Sequence, residues 1–210
     1  MATPQPELEL AWHRYIGDDR RLLDGLLARH REKQRRYHTA THVARVIRHI
    51  EELAAVEPVD HRDEVIAAAF YHDAVYEPTH PANERASARL ALRDLTTLGW
   101  SNERAERVAA MIEATAHGDS GPSIGDTAIL LDADLAILGS DRAAYSDYVA
   151  SVRAEFRRVD DNEWRTGRAS VLEGFLDRTT IYSTPTARAL WEQQARTNLA
   201  AELAELDHER

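Results

Sequence analysis

Glu64-Val-Ile-Ala-Ala-Ala-Phe-Tyr-His-Asp-Ala-Val-Tyr76 is the stretch that decides how this chain folds. At 100° per residue its apolar side chains lie on every side of a helix, so the sequence predicts a helix buried all round. Such a helix needs neighbours with apolar stripes, and the flanking sequence provides them. Thr39 to Leu53 carries Val43, Val46, Ile47, Ile50 and Leu53 on one stripe. Elsewhere apolar residues recur at three- and four-residue spacing, with no clear run of period-two alternation. Leu8 to about Arg36 reads as one or two helices, broken near Gly17-Asp18-Asp19. Asp60 is a good N-cap for the helix from about Arg62 to Tyr76, which Pro78 and Pro81 close. Asn83 can cap the next helix, through about Leu98, and another runs from about Asn102 to Ala116. Gly118 to Gly125 is a loop by composition. Further helices fit Asp126 to Leu138, Arg142 to Val159 and Glu163 to Arg178. Thr184-Pro185 opens a last one to about Asp207, with proline at its first position. The expectation is a single all-α domain, residues 1–210, of roughly eight to ten helices.

Composition narrows the function. The 210 residues hold 26 basic and 36 acidic side chains, a net charge of −10, which argues against a broad cationic nucleic-acid surface. There is no cysteine, hence no disulfide framework, no zinc-thiolate site and no Cys nucleophile. Mean hydropathy is −0.51 and no window approaches a membrane span. The opening Met-Ala-Thr-Pro-Gln-Pro-Glu is unlike a signal peptide, so a cytoplasmic protein without a membrane partner is expected. Ten histidines occur, seven of them between positions 38 and 117. Without thiols, a transition-metal site must use imidazole and carboxylate, and this is where they are supplied.

Within the central helix, His72 and Asp73 need partners if buried, because each costs several kcal/mol otherwise. They point about 100° apart and could straddle one cation. Asp134, in Ile129-Leu-Leu-Asp-Ala-Asp-Leu-Ala-Ile-Leu138, falls near the middle of an apolar helix face, whereas Asp132 falls almost opposite. A carboxylate aimed into an apolar face calls for a cation; Asp132 reads as solvated or capping. His38 and His42 share a helix face at i and i+4, one geometry for a metal pair, and Arg45 lies on the His42 face. Each of these histidines also has a plain structural reading, as a half-buried, hydrogen-bonded residue.

The ordered set His42-Val-Ala-Arg-Val46, His72-Asp73 and Ala133-Asp134 resembles the HD superfamily of metal-dependent phosphohydrolases, and more closely a group of small bacterial HD proteins. The likeness extends over Tyr37 to His42, Phe70 to Pro78, Asn83 to Ser87, Ala114 to His117, Asp132 to Gly139 and Arg178 to Thr184. It implies a metal-site core of about residues 37–140 with C-terminal helices of about 141–207 packed on it. It implies too that His42, His72, Asp73 and Asp134 ligate a divalent cation, with Asp132 as the competitor for the last place. A mixed N/O set suits Mn²⁺, Fe²⁺, Co²⁺, Ni²⁺, Zn²⁺ or Mg²⁺ and does not select among them. The implied activity is hydrolysis of a phosphoester, a nucleotide or another small phosphorylated metabolite, by metal-activated water. Asp73, Glu77 and Glu84 are the candidates for catalytic carboxylates. Arg36, His38, Arg45 and His117 are those for contact with phosphate. His49 and His61 look peripheral, and a homo-oligomer is compatible with the reading. Two alternatives stay open: an HD-type domain that captures a phosphorylated ligand without hydrolysing it, and a helical interaction protein whose His and Asp residues are structural.

Overall fold

Helix α4 (Arg62–Tyr71) is the axis around which the others pack, and Val65 through Tyr71 are completely buried. The computed structural model describes residues 4–116 and 123–208, so His117 and most of the Gly118–Gly125 stretch lie outside it. Around α4 stand α1 (Gln5–Tyr15), α3 (Ala40–Leu53), α5 (Asn83–Thr97), α6 (Asn102–Ala114) and α7 (Gly125–Leu135). Helix α2 (Arg20–Arg29) adds Leu23, Leu26 and Leu27 to the same core. A 3₁₀ turn, Ala136–Gly139, follows α7, then come α8 (Arg142–Glu155) and α9 (Asp161–Leu176). The C-terminal helix covers residues 185–208 and contains a π-helical stretch, Arg188–Glu192. It packs on α9 and on the 3₁₀ turn. The protein is all-α: ten helices and no strand among the described residues. None of them is long and apolar enough to cross a membrane.

Side-chain caps set half of the ten helix starts among the described residues. Asp19, Ser101, Asp141, Asp160 and Thr184 each accept a bond from a backbone N–H in the first turn of the helix that follows. Gly99, at φ +88°, lets the chain leave α5 in a left-handed conformation closed to most side chains. Several expected boundaries shift, such as α8 ending at Glu155 rather than Val159, and three of the differences have a visible cause. Helix α4 stops at Tyr71 rather than Tyr76, because side chains from elsewhere take the next backbone groups. Arg35 donates to the carbonyls of Asp73 (2.7 Å) and Ala74 (3.3 Å), Ser87 Oγ accepts from Val75 N–H, and Asn83 binds Glu77 at both N–H and C=O. Asn83 is therefore a clamp on residue 77 rather than a cap; Ala82 holds the cap position of α5. Nor does Asp60 cap α4: His61 holds that position, and Asp126 at the start of α7 accepts from the N–H groups of both (2.9 Å each).

Gly139 is where the 3₁₀ turn meets the π-helical stretch. A Cβ there would lie 2.8 Å from Trp191 Cα and 2.7 Å from its carbonyl oxygen, and backbone cannot swing aside. Gly139→Ala is expected to destabilise the fold by about 2 kcal/mol, the cost of overpacking a rigid contact. Urea denaturation measures it, and a loss within about 0.5 kcal/mol, the range of a neutral surface change, would contradict the contact.

Candidate metal centre

Three elements aim side chains at one point. His42 comes from the first turn of α3, His72 and Asp73 follow the last turn of α4, and Asp134 projects from α7. His42 Nε2 lies 3.0 Å from His72 Nε2, 3.1 Å from Asp134 Oδ1 and 3.4 Å from Asp73 Oδ2. His72 Nε2 lies 3.1 Å from Asp73 Oδ2 and 3.5 Å from Asp134 Oδ1. Both imidazoles are buried, and both carboxylates are largely so. A first-row divalent ion with ligands at about 2.1 Å spaces neighbouring donors roughly 3.0 Å apart in an octahedron and roughly 3.4 Å in a tetrahedron. The five separations fall on those edges, and the His42–His72–Asp134 group can hold a metal ion.

Hydrogen bonding supports the same fit. His72 Nδ1 is 2.9 Å from the carbonyl of Ala69, which can only accept, so Nδ1 carries a proton and Nε2 is free to offer its lone pair to the cluster. Two bare Nε2 atoms at 3.0 Å would set lone pair against lone pair; a shared proton or a shared cation resolves this. Burial opposes charging either imidazole, yet the carboxylates of Asp134 and Asp73 outweigh it and raise both pKa values, that of His72 well above the ordinary range. Burial would raise Asp73, but the His72 and His38 imidazoles and the bond from His42 hold it well below the usual carboxylate range. A field that retains protons this firmly also attracts a divalent cation, which would displace them.

Asp132 is elsewhere. It is buried rather than solvated, and its oxygens accept from Ser183 N–H (2.8 Å) and Thr184 N–H (2.7 Å) at the entrance to the C-terminal helix. The capping half of the sequence reading describes it, and Asp134 alone of the pair reaches the cluster.

Beside the cluster is a cavity of about 300 Å³, walled by Tyr37, Arg45, His49, Asp134, Ile137 and Trp191 among others. Arg45 is exposed at it and makes no hydrogen bond or ion pair with the described residues. His49 is thus less peripheral than expected; its ring meets Trp191 edge-on at 5.2 Å. His38 is near but committed: its Nδ1 binds Glu155 at 2.6 Å while its ring lies on Tyr76. Arg36 is exposed, its guanidinium on the carbonyls of Lys33 and Arg35. Glu77 is exposed, Glu84 half-buried, and neither lines the cavity. His117 lies outside the described residues. His61 stands at the N-terminal boundary of α4 with its Nδ1 3.1 Å from Asp126, and exposed His80 accepts from Ala82 N–H within its own loop.

No protein-family model, curated protein or solved structure matches this chain. The site therefore stands on its own chemistry.

Two residues that shape the centre escape the sequence reading. Arg35 is buried and ties residues 35–38 to the backbone of Asp73 and Ala74. Nothing local distinguishes it from the other cations of residues 29–38. Glu155, buried at the end of α8, accepts from the N–H groups of Arg36 (2.6 Å), Tyr37 (2.8 Å) and His38 (3.1 Å) and from Tyr76 Oη (2.8 Å). A signal for it existed: with Tyr145, Tyr148 and Val152 it forms a 3-4-3 stripe, so it is a carboxylate on an apolar face, as Asp134 is.

Proposed function

We propose that this protein is a metal-dependent phosphohydrolase of the HD type, acting on a small phosphoester. One observation carries the reading: a converging set of two imidazoles and two carboxylates beside a cavity that presents an arginine without a partner among the described residues. His42, His72, Asp73 and Asp134 would hold the ion. A bound divalent cation supplies Lewis-acid polarisation of a phosphoryl oxygen and lowers the pKa of water. The chain's own groups do the rest. Arg45 pairs with a phosphate oxygen, its planar fork suited to two N–H···O bonds. Asp73, held as a carboxylate, orients the attacking water. Tyr37 and Trp191 exclude solvent from the apolar part of the cavity.

The test is metal analysis of protein purified without chelator, followed by assays of phosphomonoesters and nucleotides with Mn²⁺, Co²⁺, Ni²⁺ and Mg²⁺. About one equivalent of metal per chain and metal-dependent release of phosphate are expected. Less than about a tenth of an equivalent, with no uptake on addition, would overturn the metal site. Bound metal without turnover on any substrate would select the non-catalytic phospho-ligand domain. Arg45→Ala is expected to raise KM about tenfold or more at unchanged metal content, because it removes a charge-assisted contact present in the ground state. An unchanged KM would remove Arg45 from the phosphate site.

A further inference from the structure

A second cavity, of about 440 Å³, opens on the other side of residues 30–41. Its lining includes Arg31, Lys33, Arg35 and Arg36 against one carboxylate, Glu32, in a chain whose net charge is −10. These cations are poorly neutralised. Arg31 donates to the neutral amide of Gln5 (2.7 Å), Arg36 to backbone carbonyls, and Lys33 meets no carboxylate among the described residues. Only Arg35 reaches Glu32, at 3.3 Å. The local potential is therefore positive, and an anion fits it.

His30 makes the cavity more selective. It lines the same space, is 1 % exposed, and its Nδ1 has no hydrogen-bond partner. Its Nε2 faces the carbonyl of Phe70 at 3.4 Å; a carbonyl only accepts, so Nε2 holds the ring proton and Nδ1 is left a bare acceptor. Burial keeps the ring neutral, with its pKa pushed down to about 3 and Arg35 adding to the effect. A buried acceptor without a donor costs free energy that a ligand bearing a proton can recover.

We propose that this cavity is a binding site for inorganic phosphate, whose oxygens meet Arg31, Lys33 and Arg36 and whose P–OH donates to His30 Nδ1. Inorganic phosphate carries at least one P–OH at neutral pH. Sulfate carries none, and a phosphomonoester has lost its own above a pKa of about 6. Those two would set a lone pair against that of His30. The cavity has room for the ion and several waters of about 30 Å³ each. Arg35 joins the wall of this cavity to the carbonyl of Asp73, so the ion would lie one guanidinium away from the metal centre. The site does not depend on the hydrolase reading.

Calorimetric titration of the full-length, chelator-treated protein at pH 8 tests it, with inorganic phosphate, sulfate and methyl phosphate as ligands. Phosphate is expected to bind at least about tenfold more tightly than either analogue, the worth of one buried hydrogen bond. Lys33→Ala combined with Arg36→Ala, both exposed, should weaken phosphate about tenfold or more. His30→Phe should abolish the preference over sulfate. Equal affinity for phosphate and sulfate would overturn the proposal. So would binding lost in Arg45→Ala and kept in the Lys33/Arg36 variant, which would put the ion at the metal centre.

Discussion

Asp134→Ala is expected to abolish metal uptake at the proposed centre, while Asp132→Ala, two residues earlier on the same helix, leaves uptake intact and weakens the fold. Asp134 Oδ1 lies within 3.5 Å of both imidazole nitrogens. Its loss removes a donor and a negative charge from a buried set, so metal affinity should fall about a hundredfold or more, exceeding the effect of losing an outer partner. The proposed hydrolysis, which would lean on the cation for several kcal/mol, should fall about a thousandfold. Folding stability should change by only about 1 kcal/mol, since Asp73 still faces both imidazoles. Asp132 presents the opposite case. Its oxygens hold the N–H groups of Ser183 and Thr184, and alanine would leave both unpaired, that of Thr184 buried and that of Ser183 half-buried. The expected cost is about 3 kcal/mol, roughly halved in Asp132→Asn, which keeps one acceptor. Metal analysis and urea denaturation of the variants, side by side, give both readouts. Loss of metal in Asp132→Ala with retention in Asp134→Ala would overturn the assignment of the centre.

The pair also shows how far the sequence reaches. Periodicity alone predicts an all-α chain and finds α4, because Val65 to Tyr71 admit no solvent-facing side. The facing of α7 separates Asp134 from Asp132 correctly in direction. It misjudges the environment of Asp132, because α7 is buried on both faces and a single helix does not reveal its second neighbour. Caps read from nearest residues fail where a distant side chain intervenes. Asp60 looks like a cap, yet Asp126, 66 residues on, binds the N–H groups that matter. The end of α4 fails for the same reason, since Arg35, Ser87 and Asn83 take over the backbone of residues 73–77. Local pattern fixes what a helix is; the long-range partners of its ends stay invisible until the chain is folded. Arg35 and Glu155 belong to that second class, and both act on residues 35–38, just before the turn that delivers His42.

Glu155→Ala is expected to be among the most damaging single changes in the molecule. Its carboxylate collects the N–H groups of Arg36, Tyr37 and His38, the His38 imidazole and the Tyr76 hydroxyl. The Tyr37 N–H is buried and the others are only partly open to water, so removing the side chain, 0 % exposed, leaves them poorly satisfied. Leaving one buried and several half-buried donors without their acceptor should cost about 3 kcal/mol. The effect depends on pH, and its sign follows from the shift. Burial would raise the Glu155 pKa, but the His38 imidazole and the backbone N–H groups of Arg36 and His38 outweigh it, and the pKa falls from 4.5 to about 2. A carboxyl depressed on folding stabilises the native state fully above its unfolded pKa and loses that contribution as pH falls through the folded one. The stabilisation, about 3 kcal/mol for a shift of this size, is thus complete at pH 7 and is lost between about pH 4.5 and pH 2. Glu155→Gln keeps an acceptor but has no proton to take up. The stability gap between wild type and Glu155→Gln in urea denaturation should be constant from pH 7 to about pH 5 and shrink steadily below it. A gap that persists unchanged to pH 2 would mean that the ionised carboxylate contributes nothing, and that residues 36–38 are held by packing alone. Metal affinity supplies the independent readout. The segment that Glu155 fixes leads directly into the first turn of α3, so Glu155→Gln should weaken metal binding about tenfold while leaving all four donors in place.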